Sequence, residues 1–220
     1  DDPHVRELGI YILGMLGWDT PTFVEESVAI LIGCLDDADE DIIAAAATAL
    51  GHRKLPSAIP ALLKHMAHPN AAVRFGVTFG LCGQDDPVAI ANLITLSADA
   101  DGDVRDWATF GLGSLTELDT PEIRAALTAR LTDDEPDVRA EALVGLANRG
   151  DRSIIPAVIR ELDNRFYSTP VVEAAKLLAD PVLIPHLGKA FRYIDENDEY
   201  FLEAVDDAIR ACEAQSGESE

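Results

Sequence analysis

Asp103-Val104-Arg105-Asp106-Trp107-Ala108-Thr109-Phe110-Gly111-Leu112-Gly113 decides the fold, because its pattern returns along the whole chain. Val138-Arg139-Ala140-Glu141-Ala142-Leu143-Val144-Gly145-Leu146 repeats it downstream, and Val73-Arg74-Phe75-Gly76-Val77-Thr78-Phe79-Gly80-Leu81 upstream. Apolar residues at the opener and at the fourth and eighth positions after it lie on one face of a helix. Aligned in this way, the openers are Val5, Ile42, Val73, Val104, Val138, Pro170 and Tyr200, spaced 37, 31, 31, 34, 32 and 30 residues apart. A period of that size implies stacked helical hairpins, with each opener starting a second helix.

The column four residues after the opener is small: Gly9, Ala46, Val77, Ala108, Ala142, Ala174 and Ala204. The column eight after it is the expected core spine: Leu13, Leu50, Leu81, Leu112, Leu146, Leu178 and Ala208. Gly14, Gly51 and Gly113 follow it directly, and their expected role is to end the helix or let the chain turn closely. First helices are expected over 21–35, 57–66, 87–96, 121–131, 153–162 and 182–191. Several carry Pro in the first turn, where the amide has no helical partner. Acidic turns such as 36–41, 99–103 and 133–137 supply caps for the helices that follow. The organisation expected is one continuous stack over 1–214 and a frayed polar tail over 215–220. The chain opens at Asp1 almost at once on a second-helix pattern, which reads as a trimmed chain lacking an upstream helix.

The Asp-Val-Arg turn, the Ala column and the Leu-Gly ending resemble the HEAT repeat of the phycobilisome-lyase type. That resemblance implies an all-α fold, an α-solenoid forming a right-handed superhelix of roughly six to seven hairpins. It also implies that the Arg after the opener pairs with acids of adjacent turns. Arg6, Arg74, Arg105 and Arg139 occupy that position, whereas Ile43, Val171 and Phe201 interrupt it. A narrower resemblance rests on residues 102–108 and 136–142, Glu173-Ala174-Ala175 and Leu183-Ile184-Pro185. It is to the HEAT-repeat proteins encoded beside Rhs toxin elements in enteric bacteria. That group implies an immunity protein, which binds and neutralises a cognate toxin domain.

The formal net charge is −23, from 40 acidic and 17 basic residues. Such a field opposes nucleic acid and anionic lipid, both bound mainly through Lys and Arg, and favours a basic protein. It also serves solubility alone. Cys34, Cys82 and Cys212 are isolated in apolar helical patterns and read as buried reduced thiols of a cytoplasmic protein. No run is long enough to span a membrane. His65 and His68 could share a helix face, but zinc would need two more ligands. Asp99, Asp101 and Asp103 resemble the start of a calcium loop, yet Phe110 stands where the bidentate Glu belongs. No metal, cofactor or catalytic residue is expected. No His precedes Glu, which sets aside the iron-binding deoxyhypusine-hydroxylase branch of HEAT proteins.

The third and sixth residues after each opener are expected to point away from the core. They include Leu8, Gly76, Trp107, Glu141, Glu173 and Glu203, then Tyr11, Phe79, Phe110, Val144, Lys176 and Asp206. The predicted partner site is therefore Tyr11, Phe75, Phe79, Trp107 and Phe110 with Glu141, Glu173, Glu203 and Asp206. Aromatic anchors with an acidic flank suit a basic protein partner. The alternative for Phe79 and Phe110 is burial between units, and for the acids a solvated face. The expectation is a non-catalytic binding module, monomeric when free, that occludes a basic toxin domain. The competing readings are a bilin lyase or chromophore-handling subunit, and a generic assembly scaffold. HEAT-like DNA glycosylases need a basic face, which this chain lacks.

Overall fold

The computed structural model describes residues 2–17, 19–164, 168–189, 191 and 198–217. Its first compact unit, Asp1–Leu118, holds α1 (Pro3–Met15), α2 (Val24–Cys34), α3 (Glu40–Arg53), α4 (Ile59–Leu62), α5 (Ala71–Leu81), α6 (Pro87–Leu96) and α7 (Gly102–Ser114). The second, Asp119–Glu220, holds α8 (Pro121–Arg130), α9 (Pro136–Asn148), α10 (Ile155–Asp163), α11 (Thr169–Leu178), α12 (Ile184–Leu187) and α13 (Glu199–Gly217). No strand occurs among the described residues. After α1 the helices pair as hairpins, α2 with α3 through α12 with α13. The second helices lie side by side, α1–α3–α5–α7 in one unit and α9–α11–α13 in the other.

The turns fold as their side chains dictate. Asp39, Asn70 and Asp101 accept hydrogen bonds from amides of the first turns of α3, α5 and α7. Asp86 and Thr120 cap the Pro-led helices α6 and α8. Three first helices are shorter than expected. α4, α10 and α12 each follow a 3-10 turn, at Pro56–Ala58, Arg152–Ile154 and Pro181–Leu183. Pro60, Pro156 and Pro185 sit at their second positions, where the absent amide N–H has no helical partner to lose.

Ile42, Val73, Val104 and Val138 are buried, and so are Leu50, Leu81, Leu112 and Leu146. Each buried Leu contributes roughly 2–3 kcal/mol by removing its surface from water. Three openers depart from expectation, and one of them, Pro170, is half-buried beside a buried Val171. Val5 is 66% exposed, and Leu8 and Ile12 beside it are also exposed, because among the described residues no helix covers that side of α1. In α13 the buried face runs Phe201, Val205, Ala208 and Cys212, while Tyr200 is 78% exposed. The first two buried positions fall one residue later than the alignment places them, at Phe201 and Val205, while Ala208 is buried where it was expected. Helix α13 also continues through Gly217, so 215–217, assigned to the tail, are helical.

Gly14, Gly51 and Gly113 do not end their helices. A Cβ on Gly14 would stand 2.9 Å from the Ala49 Cβ, and one on Gly51 2.5 Å from Phe79 Cδ1. Gly14 and Gly51 let neighbouring helices approach. The left-handed residues that break helices are others, among them Lys54, Ala179, Gly17 and Gly150. Cys82 and Cys212 are buried, but Cys34 is only half-buried; all three are free thiols.

Candidate functional site

A cluster of rings sits on the surface of α5 and α7, and the packing beneath explains why it stays there. Glycines on α5 let it lie close against the alanines of α3. A Cβ on Gly76 would lie 2.6 Å from the Ala44 carbonyl oxygen, and one on Gly80 3.1 Å from that of Ala47. Cys82 packs into α7 at Gly111, whose notional Cβ would be 2.6 Å from its Sγ, and the thiol donates to the Trp107 carbonyl at 3.5 Å. Burial pushes the Cys82 thiol up to about 12, so it remains a neutral donor. With the backbones this close, the large side chains have no room inward.

Trp107 consequently meets Phe79 at 5.0 Å between ring centroids, Phe110 at 5.6 Å and Phe75 at 5.8 Å. The contacts with Phe75 and Phe110 are edge-to-face, a geometry that ring quadrupoles favour. His52 adds an edge contact to Phe79 at 5.0 Å. Burial, and then the charge of Lys54, lower the His52 pKa, which keeps the imidazole neutral against the rings. All four carbon-ring aromatics are half-buried, between a core and a free surface.

The outward columns are not uniform. Gly76 and Val144 are buried rather than outward-facing. A second helix flanked by neighbours on both sides buries a wider arc than one face. Tyr11 is 64% exposed and borders a separate hollow of about 220 Å³ with Ile10, Met15 and His52. In the second unit Glu141 on α9 and Glu173 on α11 are half-buried, and Glu203 and Asp206 on α13 are exposed.

The four arginines after the openers each reach a turn. Arg74 forks onto Asp99 with two bonds of 2.8 Å and donates to the His68 and Pro69 carbonyls of its own turn. Arg139 forks onto Glu161 at 3.1 and 2.9 Å and donates to the Asp133 and Asp134 carbonyls. Arg6 pairs with Asp37 at 3.1 Å, and Arg105 donates to the Asp99 and Ala100 carbonyls. Ile43, Val171 and Phe201, which interrupt the pattern, are buried instead. Asp99 and Asp101 are thereby occupied, one by Arg74 and the Asp101 amide, the other as the cap of α7. Arg53 escaped the sequence pattern. It is 8% exposed and its guanidinium donates to the carbonyls of Leu16 and Thr22 at 2.7 and 2.6 Å.

Burial would raise the Asp99 pKa, but hydrogen bonds from Arg74 and the Asp101 amide hold it below the ordinary 3.8. The unfolded chain therefore takes up this proton first as pH falls, and the pair's stabilisation is lost as pH drops through the folded value. Asp99→Asn is expected to lower the urea midpoint at neutral pH, with the difference from wild type closing as pH falls below the ordinary carboxylate range. A difference that persists undiminished in acid would contradict this.

The sequence reading missed a groove of about 580 Å³ across the first unit. Ala44, Ala45 and Thr48 of α3, Ala71 and Ala72 of α5 and the Phe75 ring line it, with Glu7, Asp41, Asp101 and Asp103 among its walls. The only signal for it in the sequence was the run of alanines, which also reads as plain helix.

These hairpins have counterparts. The HEAT-repeat family matches residues 1–82, 28–113 and 90–179. Over 139 residues the chain is 32% identical to Protein YibA of Escherichia coli (strain K12), and equally to Protein YibA of Escherichia coli O157:H7. That alignment takes in 63% of this chain and 49% of YibA, so the chain spans about half the length of the curated relatives it matches. The X-ray structure of Escherichia coli YibA superposes with a TM-score of 0.69 at 26% identity, covering 97% of this chain and 77% of that one. A crystal structure of an engineered protein, at 17% identity and a TM-score of 0.52, covers 85% of this chain and 96% of its own and shares the fold alone. Paired helices, capped acidic turns and a match running from residue 1 to 179 have one reading: the chain belongs to the HEAT-repeat proteins and has an all-α, solenoid-class fold.

Proposed function

We propose that this chain is a non-catalytic protein-binding module, and that its partner is a basic toxin domain which it occludes as an immunity protein. One observation carries the binding reading. Trp107, Phe75, Phe79 and Phe110 form a ring cluster that the close helix packing keeps at the surface. On the same unit Glu7, Asp41 and Asp103 are exposed carboxylates with no cation partner among the described residues. Aromatic area gives a partner buried contact, and free carboxylates select its charge and speed the encounter. The toxin is supported by the resemblance to HEAT proteins encoded beside Rhs elements. Glu173, Glu203 and Asp206 give the second unit the same sign of charge. A phosphate backbone would be repelled by both.

Wild type and Trp107→Ala serve as baits in a lysate of the native host. The expected result is one basic protein held by wild type and recovered at least roughly tenfold less with Trp107→Ala, the effect of losing a hot-spot aromatic. Expressed alone, that protein should arrest growth, and co-expression of this chain should relieve the arrest. Recovery of a non-toxic basic protein would leave a scaffold. A bound pigment in place of a protein would favour the chromophore-handling reading.

A further inference from the structure

The groove on the first unit exists because side chains are small where their neighbours are charged. Helices α3 and α7 both carry a carboxylate at the second position, Asp41 and Asp103. Helix α5 between them carries Ala72 there. That gap, deepened by Ala44 and Ala45, opens the space of about 580 Å³, within the size range of ligand-binding clefts. Phe75 forms an aromatic wall, and Glu7 of α1 adds a third carboxylate. Asp101 is engaged as the cap of α7. Glu7, Asp41 and Asp103 have no cationic or hydrogen-bonding side-chain partner among the described residues. An apolar trough with one aromatic wall and unpaired anions along its edge suits a long apolar stem that ends in a cation.

The geometry points to this groove as a socket for an arginine-bearing segment of the protein partner. The stem lies on Ala44, Ala45 and Ala72, the guanidinium plane faces Phe75, and its fork of donors addresses carboxylates from separate helices. Arginine fits better than lysine, whose ammonium is a compact, strongly hydrated point charge without a plane to stack. The socket rests on the reading of the chain as a binder of a basic protein, and names the group it recognises.

Ala72 is exposed and outside the core, so it can be changed without disturbing the helix packing. The probe is a fluorescein-labelled peptide carrying leucine and arginine, with lysine and glutamate versions, followed by anisotropy. The arginine peptide should bind wild type. Asp41→Asn/Asp103→Asn should weaken it roughly tenfold, as for loss of paired charges at an interface. Ala72→Arg, which places a cation in the socket, should weaken it at least as much, and Ala72→Glu should tighten it. Glu25→Gln/Glu26→Gln, an equal charge change on α2, should leave it unchanged. The lysine peptide should bind more weakly and the glutamate peptide not at all. Thermal melts near that of wild type confirm that each variant is folded. Equal affinity of wild type and Ala72→Arg, or an equal loss with the α2 variant, overturns the socket. If Ala72→Arg still retains the basic protein captured by wild type, the socket is wrong and the binding module stands. If the peptides behave as expected but no basic protein is captured, the socket stands and the immunity reading falls.

Discussion

Arg139→Ala is expected to destabilise the second unit by about 3 kcal/mol, the cost of leaving a buried charge without its partner. The Glu161 side chain is only 2% exposed, and Arg139 supplies both of its short bonds, at 3.1 and 2.9 Å. Without them the carboxylate keeps, among the described residues, only Arg160, which lies 3.4 Å away and is 48% exposed. The Asp133 and Asp134 carbonyls lose their donor as well. In a chain of this length such a loss lowers the melting temperature by roughly 6–12 °C. The double variant Arg139→Ala/Glu161→Leu should recover much of it, because the cost lies in the orphaned charge rather than in the absence of the pair. Chemical denaturation of the two variants measures this. A single variant within about 1 kcal/mol of wild type would show that water reaches Glu161 and that the pair behaves like a surface one.

Gly76→Ala is expected to cost about 2 kcal/mol, although helix propensity alone would make the change favourable by about 1 kcal/mol. The added Cβ would stand 2.6 Å from the Ala44 carbonyl oxygen, 3.0 Å from the Ala47 Cβ and 3.2 Å from the Thr48 Oγ1. The first of these is backbone and cannot turn aside, so α5 must move off α3. The same change at Gly9, in the middle of α1 with nothing within 4 Å of its notional Cβ, should stabilise by a few tenths to about 1 kcal/mol. Opposite signs at the two sites, read from urea midpoints, confirm the close approach. Stabilisation at both would mean that the helices have slack.

The contrast shows what periodicity can and cannot convey. Val73, Val104 and Val138 were legible as openers because each heads one clear apolar stripe. In α13 both Tyr200 and Phe201 can open a stripe, and only burial separates them. Gly76 stood in a column expected to face outward, because a column rule assumes one buried face and α5 has a neighbour on each side. The aromatic cluster was named from the sequence. Its ring contacts were not, since they depend on how far α7 advances over α5 at Cys82 and Gly111. The groove was hidden for a different reason. It is made of missing atoms at Ala44, Ala45, Ala71 and Ala72, and a pattern that scores side chains has no entry for space.

The side of α1 that the described residues leave uncovered has a colloidal consequence. Val5, Leu8 and Ile12 present an apolar strip to water at 66, 58 and 51% exposure, the kind of patch through which copies adhere. Each molecule also carries 23 net negative charges, and mutual repulsion holds copies apart while those charges are ionised and unscreened. The repulsion vanishes near the isoelectric point of about 4.3, whereas the strip is indifferent to pH. Dispersion of this chain is thus an electrostatic property laid over a sticky helix, and salt or acid removes the first without touching the second.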